Sequence, residues 1–331
     1  MADAEQPLAR VLLHRAEDRL TDLGAARDSC GLKTVKPVGR PLAYLYLILT
    51  MVLWSAALVI ARGVHEIAPP FALAFWRWVG AVIVLLPFAL PGLRREFPAT
   101  PESRRRVANL CGLMVVGNTL SIVAMSYTTA INATVINATQ PAVTAVVALV
   151  LLAERLSWIQ ALGVVSAFTG ILFMVFQGSF GALLHLNINS GDLIMFGAVC
   201  FWSGYAVALH GGAGLPRLAV LLFLISVSGA VLVLPFYVAE ALSRRQFIVS
   251  IQSVSAVIYL SLGATAIAVF FWSAAIRSVG ANRAAVFLNL IPVFGAALAV
   301  AFLGERLFAY HLIGAGLVVA GIFLAVRRSV R

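Results

Sequence analysis

The hydrophobic pattern of this chain consists of long apolar runs separated by short polar breaks, and it extends from Leu42 to Val326. A helix needs about 20 apolar residues to cross the roughly 30 Å hydrocarbon layer of a bilayer, and most of these runs have that length. The breaks divide the pattern into ten predicted spans, at residues 42–64, 70–91, 106–128, 131–153, 158–176, 191–210, 217–240, 250–276, 281–303 and 308–326. The pattern therefore predicts an all-α integral membrane protein with ten transmembrane helices.

Composition agrees with this prediction. Of the 331 residues, 62% are hydrophobic and 11% are charged, whereas soluble domains have about 45–50% apolar and about 25% charged residues. The first 41 residues are polar instead, and we predict that they form a cytoplasmic tail. Leu8, Leu12 and Leu20 recur there at helical spacing, so an amphipathic helix on the membrane surface and a disordered tail are both open.

The distribution of charge predicts the orientation. The net charge is +11, and with the N-terminus inside, 19 of the 24 Lys and Arg residues fall on the cytoplasmic side. This bias follows the positive-inside rule, so topology explains the charge and no nucleic-acid partner is expected. We predict a multi-pass membrane protein with both termini in the cytoplasm.

The chain also repeats itself. The segment TVINATQPAVTAVVALVLLAERLSWIQALGVVSAFTGI, from Thr134, aligns without a gap to AVFLNLIPVFGAALAVAFLGERLFAYHLIGAGLVVAGI, from Ala285, at an offset of 151 residues. Nearer the start of each half, Trp54-Ser55 matches Trp202-Ser203 at an offset of 148 residues. The matched positions of the longer segment include Pro141 and Pro292, Glu154 and Glu305, Gly163 and Gly314, and Gly170 and Gly321.

Each repeat contains five predicted spans, and because five is odd the second repeat must enter the membrane from the opposite side. We predict repeats at residues 42–176 and 191–326, joined by a periplasmic linker at 177–190 and followed by a cytoplasmic tail at 327–331. Inverted repeats of this kind are characteristic of secondary transporters, in which the two halves rock about a central binding site.

The duplicated motifs resemble the drug/metabolite transporter (DMT) superfamily, in its EamA branch. The resemblance covers about residues 42–326 and rests on VLWS at 52–55, on the Pro-Pro entry to span 2, and on two P(x12)ERL(x6)G signatures that end at Gly163 and Gly314. The stretch VLWSAALVIARGVHEIAPP also resembles the start of amino acid exporters of the YddG type. The resemblance implies an exporter of small metabolites in a bacterial inner membrane, with a central cavity between its halves.

Two prolines predict broken helices near the centre of the membrane. Pro141 and Pro292 fall about ten residues into spans 4 and 9. A proline inside a helix lacks an N–H and clashes with the carbonyl four residues earlier, which frees the carbonyls of Asn137 and Leu288 for other partners. The alternative is that both prolines only bend their helices to fit the bundle.

Polar and aromatic side chains gather at the same predicted depth. Amides in hydrocarbon are unfavourable unless they form hydrogen bonds, so these side chains should point inward. Asn137 and Gln140 are three residues apart and are expected to share one helix face. The predicted substrate-binding residues are Trp54, Arg77, Asn118, Tyr127, Asn137, Gln140, Trp202, Tyr205, Trp272 and Asn289. Helix-joining amides and ordinary aromatic packing are the alternatives.

Arg77 is the one full charge predicted deep inside a span. It follows Pro70 by seven residues, which is about 10 Å along a helix. At the aligned place in the second half stand Ile225 and Ser226, so the charge belongs to one half. Two roles are open for Arg77: hydrogen bonds to loop carbonyls or to Glu66, or attraction of a substrate carboxylate.

Acidic residues are missing from the interior of the spans, with Asp192 at a helix start as the nearest case. Coupled transporters commonly use an intramembrane carboxylate, so we predict uniport. His65, His210 and His311 lie near span ends, where a solvated or capping histidine is expected. A cavity with few charges suits neutral and zwitterionic amino acids better than phosphate esters.

No cofactor or metal is expected, because Cys30, Cys111 and Cys200 are isolated and form no Cys/His cluster in the sequence. The spans also lack HExxH, GxSxG or an acid pair, so an enzyme is not expected. The sequence predicts an alternating-access exporter of amino acids with broad specificity. The alternatives are an exporter of drugs or nucleobase-like metabolites, with proton coupling, and more remotely an intramembrane enzyme or a lipid scramblase.

Small residues predict close helix packing in spans 5 and 10. Gly163 and Gly170, like Gly314 and Gly321, are seven residues apart and lie on one helix face. We expect each face to pack within its own half. The chain is predicted to be a monomer in the lipid bilayer, with a homodimer as the alternative.

Overall fold

The computed structural model describes residues 39–98, 100–152, 158–176, 189–210, 215–243, 246–279 and 287–326. The predicted amphipathic helix of the N-terminal tail, most of the 177–190 linker, Glu154 and the tail after Val326 lie outside these ranges. Across the described ranges all regular structure is helical, with no β-strand. The predicted all-α fold class is confirmed.

The helices follow the predicted order. In the first half they are α1 (Arg40–Gly63), α2 (Pro70–Glu96), α3 (Pro101–Ala124), α4a (Ala130–Ala138), α4b (Gln140–Leu152) and α5 (Trp158–Val175). The second half begins with α6 (Ser190–His210) and α7 (Leu218–Leu242) and ends with α10 (Ala309–Val326). Between α7 and α10 lie two composite helices. Helix α8 has α-helical ends (Ile251–Ile258 and Ala268–Val279) and a π-helical centre (Tyr259–Ile267). Helix α9 consists of a 3₁₀ turn (Leu288–Leu290), an α-helix (Ile291–Leu298) and a π-helical end (Ala299–Leu303).

Several helices are long and apolar enough to cross a membrane. In the described part of the chain six helices meet this requirement, and α4a with α4b adds a seventh span that is bent by 44°. The remaining apolar stretches, Ala161–Met174, Leu288–Leu303 and Ala309–Gly321, are shorter. Large apolar side chains such as Ile83, Leu172 and Phe323 are exposed, as expected where a helix faces lipid. The protein is therefore a multi-pass membrane protein.

The two halves run in opposite directions through the bundle. Arg62, near the end of α1, donates a hydrogen bond to the carbonyl of Met125 after α3 (2.8 Å). Asp192, near the start of α6, accepts one from Thr128 in the same connection after α3. The first helix of one half therefore ends where the first helix of the other half begins. We call this side, which also contains the ends of α7 and α9, the Glu240 end, and we call the opposite side the Glu96 end.

Helix pairing repeats when the halves are exchanged. The equivalent helices α2 and α7 pack on each other, and so do α5 and α10. Two further sets of contacts are exchanged: α1 packs on α8 as α6 packs on α3, and α1 packs on α9 as α6 packs on α4b. Within the described ranges, the contacts of α10 with α4a and α4b have no counterpart of similar extent between α5 and α9. This is the pseudo-two-fold pattern that inverted repeats produce.

The antiparallel helices α2 and α7 cap each other. Glu240, near the end of α7, accepts hydrogen bonds from the N–H groups of Phe71 (3.4 Å) and Ala72 (2.8 Å) at the start of α2. Glu96, at the end of α2, accepts one from the N–H of Arg217 (2.8 Å), which precedes α7, and also pairs with the Arg217 guanidinium. Carboxylates at these positions satisfy free N–H groups and interact favourably with the helix dipole.

The glycines of α5 and α10 pack against each other. A Cβ atom on Gly170 would lie 2.6 Å from the carbonyl oxygen of Gly314, and one on Gly321 would lie 2.5 Å from that of Gly163. The offset of 151 residues exchanges these two contacts. The prediction that each glycine face packs within its own half is wrong, because the backbones approach each other across the halves.

Candidate functional site

Helices α4 and α9 are both interrupted beside a proline. The helices α4a and α4b meet at Thr139, two residues before Pro141, with a bend of 44°. Pro292 is the second residue of the α-helical part of α9, directly after its 3₁₀ turn. In that turn the carbonyl of Leu288 accepts the N–H of Ile291. The Leu288 carbonyl, to which Pro292 cannot donate because it lacks an N–H, therefore finds its hydrogen-bond partner in the neighbouring residue Ile291.

A serine from the opposite half binds beside each interruption. Ser203 of α6 donates a hydrogen bond to the carbonyl of Gln140 (3.3 Å), directly before Pro141. Ser55 of α1 donates one to the carbonyl of Ile291 (3.0 Å), directly before Pro292. Sequence reasoning singled out the neighbouring tryptophans and missed these serines, although the repeated Trp-Ser dipeptide was a signal for both. The two hydrogen bonds are equivalent, and both cross between the halves.

Trp54 and Trp202 take equivalent positions with different surroundings. Trp54 donates its indole N–H to the carbonyl of Ala264 in α8 (3.2 Å), and its ring lies 5.5 Å from that of Trp272. Trp202 packs on α3 at Gly117, where a Cβ atom would lie 2.8 Å from the indole. The structure thus brings Trp54 and Trp272 together as an aromatic pair and holds Trp202 in a close helix contact.

The two predicted tyrosines are far apart in the fold. Tyr205 is half-buried and packs with Trp202 against the main hydrophobic core. Tyr127 is 50% exposed at the Glu240 end. There it lines a cavity of about 640 Å³, which we call the vestibule and whose polar lining residues are His65, Glu66, Ser126, Tyr127 and Gln246. A second cavity of about 900 Å³ lies between α1, α8 and α9 and has mostly apolar walls.

Arg77 is buried and contacts Asn118. Its side chain is 8% exposed, its Nη2 donates a hydrogen bond to Asn118 Oδ1 (2.6 Å), and its guanidinium carbon lies 4.6 Å from the centre of the Trp78 ring. The expected hydrogen bonds to loop carbonyls or to Glu66 are not found among the described residues. Asn118, another predicted site residue, takes their place and joins α2 to α3.

The Arg77 guanidinium keeps unused hydrogen-bonding capacity. Its Nε is buried without a hydrogen-bond partner, and no described acidic side chain forms an ion pair with it. A guanidinium has five N–H donors in a planar fork that matches a carboxylate. The arrangement can therefore accept an anionic group from a ligand.

Three amides beside the interrupted helices also have free groups. Asn137 and Gln140 are half-buried and have no side-chain hydrogen bond to any described residue, and Asn289 Oδ1 is buried without a partner. Asn137 and Gln140 do not share one continuous helix face as predicted, because the break at Thr139 lies between them. Since buried polar groups are normally paired, these amides are suited to bind polar groups of a ligand or water.

A further polar cluster joins α4a to the second half at the Glu240 end. Asp192 is 2% exposed and accepts hydrogen bonds from Thr128 and from Asn132 Nδ2, which lies 3.1 Å from Asp192 Oδ2. Asn132 Oδ1 lies 3.1 Å from His311 Nε2. Glu305 accepts hydrogen bonds from the N–H groups of Ala130 (2.8 Å) and Ile131 (3.0 Å) at the start of α4a.

Sequence reasoning missed this cluster. His311 was expected to be solvated or capping; it does accept the N–H of Phe308 (3.0 Å), but it is buried, with 5% exposure. Asp192, Asn132 and His311 belong to three different helices, and sequence reasoning considered Asp192 and His311 singly. Asp192 was expected at a helix start, and the structure shows that it is buried there. Uniport stays a prediction.

The chain is similar to known transporters. The profile of the EamA-like transporter family matches residues 41–176 and again residues 189–327. The uncharacterized transporter YyaM of Bacillus subtilis (strain 168) is 26% identical over 267 residues, which are 77% of this chain and 84% of that protein. A "Probable amino-acid metabolite efflux pump" of Salmonella typhimurium (strain LT2) is 27% identical over 195 residues, which are 54% of this chain and 62% of that protein.

The fold also resembles a solved structure. A crystal structure matches this chain with a TM-score of 0.56 and 19% sequence identity, and the matched region covers 87% of this chain and 97% of the chain in that crystal structure. At that identity the likeness concerns the fold alone. The family assignment rests instead on the two successive profile matches, one for each half, which together span most of the chain. The chain belongs to the EamA-like transporter family of the DMT superfamily.

Proposed function

We propose that this transporter exports amino acids, neutral and aromatic ones among them, by alternating access of its two halves. The observation that carries the proposal is the pair of equivalent hydrogen bonds from Ser55 to Ile291 and from Ser203 to Gln140. Each bond attaches one half to the interrupted helix of the other half. Because exchange of the halves converts each bond into the other, both bonds can persist while the two halves exchange their conformations, and we take them to mark the axis about which the halves rock.

The position of the cavities supports this mechanism. The vestibule opens at the Glu240 end, and the larger cavity includes Gly63, Ser250 and Leu303 from the same end of α1, α8 and α9. In a protein with inverted repeats, the second half can adopt the conformation of the first, which opens the equivalent region on the other side of the membrane. A cargo bound between the halves is then carried across.

Amino acids are the proposed cargo because the predicted site residues include a partner for each part of a zwitterion, although in the present conformation only Tyr127 among them lines either cavity. In this proposal the substrate carboxylate accepts hydrogen bonds from Arg77, whose Nε is unpaired. Amide oxygens such as Asn289 Oδ1 accept the ammonium group, and the Trp54–Trp272 pair packs on apolar or aromatic side chains. The name of the Salmonella relative, a probable amino-acid metabolite efflux pump, supports this cargo class.

One observation favours a second cargo class. The tilted rings of Trp54 and Trp272, with centroids 5.5 Å apart, present aromatic surface to a planar molecule. A drug or a nucleobase-like metabolite would use that surface without needing Arg77. Dependence of transport on Arg77 therefore separates the two classes.

The proposed location is the inner membrane of a bacterium, with the chain working as a monomer whose termini are cytoplasmic. Arg94, Arg95 and the Arg104–Arg106 cluster lie at the Glu96 end, which the positive-inside rule assigns to the cytoplasm. A cysteine at the exposed Gln246 should react with an impermeant thiol reagent added to intact cells, and one at the exposed Glu102 should not. Reaction at Glu102 alone would reverse the proposed orientation.

Purified protein in liposomes tests the cargo. Labelled neutral and aromatic amino acids should cross the membrane and compete with one another, and planar cations and nucleobases should compete weakly. Thr169→Val serves as a control variant, because Thr169 is exposed, lines neither cavity, and bonds only to Val165 within its own helix among the described contacts. Flux of planar cations without flux of any amino acid would sink the proposed cargo and favour the second class.

A further inference from the structure

Asp192, Asn132 and His311 form a hydrogen-bond chain that crosses between the halves twice. Asn132 of α4a donates from Nδ2 to both carboxylate oxygens of Asp192 in α6 (3.3 and 3.1 Å). Its Oδ1 is then left to accept a hydrogen bond from His311 Nε2 in α10 (3.1 Å). Since His311 Nδ1 accepts the N–H of Phe308 (3.0 Å), the ring is neutral with its proton on Nε2.

This chain is sealed from solvent and lies among few charges. Asp192, Asn132 and His311 are 2%, 9% and 5% exposed. From the connection after α3, the Thr128 hydroxyl faces this hydrogen-bond chain and donates to Asp192. Three titratable or charged groups surround the chain. Glu305 accepts hydrogen bonds from the N–H groups at the start of α4a, the Tyr310 ring lies 4.2 Å from that of His311, and Arg62 of α1 donates to the Met125 carbonyl.

The direction of every hydrogen bond depends on where the protons are. Asp192 as a carboxylate accepts from Thr128 and Asn132. If Asp192 is protonated, one of its oxygens becomes a donor, and the bond to the Thr128 hydroxyl must reverse, which leaves the hydroxyl proton of Thr128 without its present acceptor. A second proton on His311 would occupy Nδ1 and break the bond from Phe308 at the start of α10. A buried polar group that loses its partner is strongly unfavourable. Either protonation therefore disrupts the junction between α4a and the second half.

We propose that Asp192 and His311 form a proton-binding site whose occupancy controls the junction of α4a with α6 and α10, so that protons move in step with the transported cargo. The inference rests on the proposed alternating access. If rocking of the halves opens the junction, its groups become hydrated and bind protons with a different affinity in each state. By linkage, a proton that binds one state better shifts the population toward that state.

Distance measurements test the site without any cargo. Spin labels are attached at cysteines replacing the exposed residues Tyr127 and Gln246, in a chain whose native cysteines are replaced by alanine. The distribution of distances should change between about pH 5 and pH 8, the interval in which buried carboxylates and histidines commonly titrate. Asp192→Asn, which has the shape of the protonated acid, should give the acid distribution at every pH.

Matched variants make this test decisive. Glu96→Gln also replaces a carboxylate that joins the halves, but at the opposite end, and it should keep the pH response. His311→Gln can still donate to Asn132 and provides a second test if Asp192→Asn folds poorly; its pH response should be lost. A distance distribution that ignores pH in the unsubstituted chain, or an unaltered response in both junction variants, would overturn the proposal.

Proton movement in liposomes tests the coupling itself. A pH-sensitive dye should report proton movement when an amino acid gradient is applied to the wild type and to Glu96→Gln. Asp192→Asn should lose this signal and keep exchange of labelled for unlabelled amino acid. Amino acid flux without proton movement in the wild type would refute the coupling and leave the export proposal intact. If no amino acid moves, the export proposal fails, and the distance measurements still decide the proton site.

Discussion

Ser55 and Ser203 are equivalent residues of the two halves, and each donates a hydrogen bond to the carbonyl that precedes the proline in the other half's interrupted helix. Both serines are fully buried. An interrupted helix leaves backbone groups that must find partners inside the bundle, because lipid supplies none. The two serines bond to the first carbonyl of the α-helix that restarts after each interruption, which attaches each half to the interrupted helix of the other half.

Replacing either serine should therefore lower stability, and Ser203→Ala should cost less than Ser55→Ala, because Thr144 Oγ1 also donates to the Gln140 carbonyl (2.7 Å). Hydrogen bonds between membrane helices contribute about 0.6 kcal/mol on average and up to about 1.7 kcal/mol, so Ser55→Ala and Ser203→Ala should each reduce the free energy of unfolding within that range. Unfolding by SDS in mixed micelles measures the change. Ser255→Ala is the control for these unfolding measurements, because Ser255 is exposed and bonds only to Gln252 within its own helix among the described contacts. If Ser55→Ala and Ser203→Ala lose no more stability than this control, the two hydrogen bonds do not hold the interrupted helices.

The repeat in the sequence predicted much of the fold, and the reason lies in backbone rules. Pro141 and Pro292 each remove a backbone hydrogen bond, and both helices are interrupted beside them, whereas Pro87 and Pro235 stand inside unbroken helices. Gly170 and Gly314 permit close approach of helices, so the positions of these prolines and glycines carried over into the structure. The partner of each glycine was not predictable, since packing within a half and packing between halves use the same small-residue face. The structure shows packing between the halves.

The site was less predictable because its contacts depend on how neighbouring helices are rotated. Arg77 was recognised as a buried charge, but its partner Asn118 is 41 residues away and reaches it only through the α2–α3 orientation. Asp192 and His311 meet through Asn132, and the three residues belong to three separate helices. Each looked like an ordinary polar residue near a helix end, and nothing in the local pattern pairs them.

The close contact between α5 and α10 predicts a strong effect of a single methyl group. A Cβ atom on Gly170 would lie 2.6 Å from the backbone oxygen of Gly314, which cannot move aside without shifting α10. Gly170→Ala should therefore lower the free energy of unfolding by about 1–3 kcal/mol, the usual cost of overpacking. Gly316→Ala on α10 meets nothing within 4 Å and should be neutral or slightly stabilising. Equal effects of the two substitutions in thermal unfolding would contradict the observed packing.

The mutual caps of α2 and α7 should differ in strength. Glu240 is 8% exposed and holds two N–H groups of α2, so Glu240→Ala leaves buried donors unpaired and should cost about 1–3 kcal/mol. The pair of Arg217 and Glu96 is more accessible, with side chains 38% and 24% exposed, so Glu96→Ala should cost less than about 1 kcal/mol.

Salt separates the two caps further. Raising the ionic strength screens an accessible ion pair but hardly affects a buried carboxylate. The loss in Glu96→Ala, measured as a shift in the unfolding midpoint, should therefore shrink in high salt, whereas the loss in Glu240→Ala should persist. The opposite salt dependence would show that the Glu240 carboxylate, and not the pair of Arg217 and Glu96, is the accessible one.

The role of Arg77 can be tested through its neighbour Asn118. Asn118→Asp places a fixed carboxylate where the amide now accepts a hydrogen bond from Arg77 Nη2 (2.6 Å). If Arg77 binds the substrate carboxylate, the new side chain should compete for the same charge. Hydrogen bonds to charged groups contribute about 1.5–3 kcal/mol, so the affinity for amino acids should fall at least about tenfold. The protein should remain folded, because the new pair still joins α2 to α3.

Asn109→Asp is the matched control, since Asn109 is exposed on the same helix. Affinity is measured by competition of unlabelled amino acids with labelled cargo in liposomes, and folding is followed by thermal unfolding of the same preparations. Arg77→Lys should also lose affinity while it stays folded, because lysine keeps the charge but not the planar fork. Unchanged affinity in Asn118→Asp relative to Asn109→Asp would make Arg77 a helix-joining residue, and the carboxylate of the cargo would then need another partner.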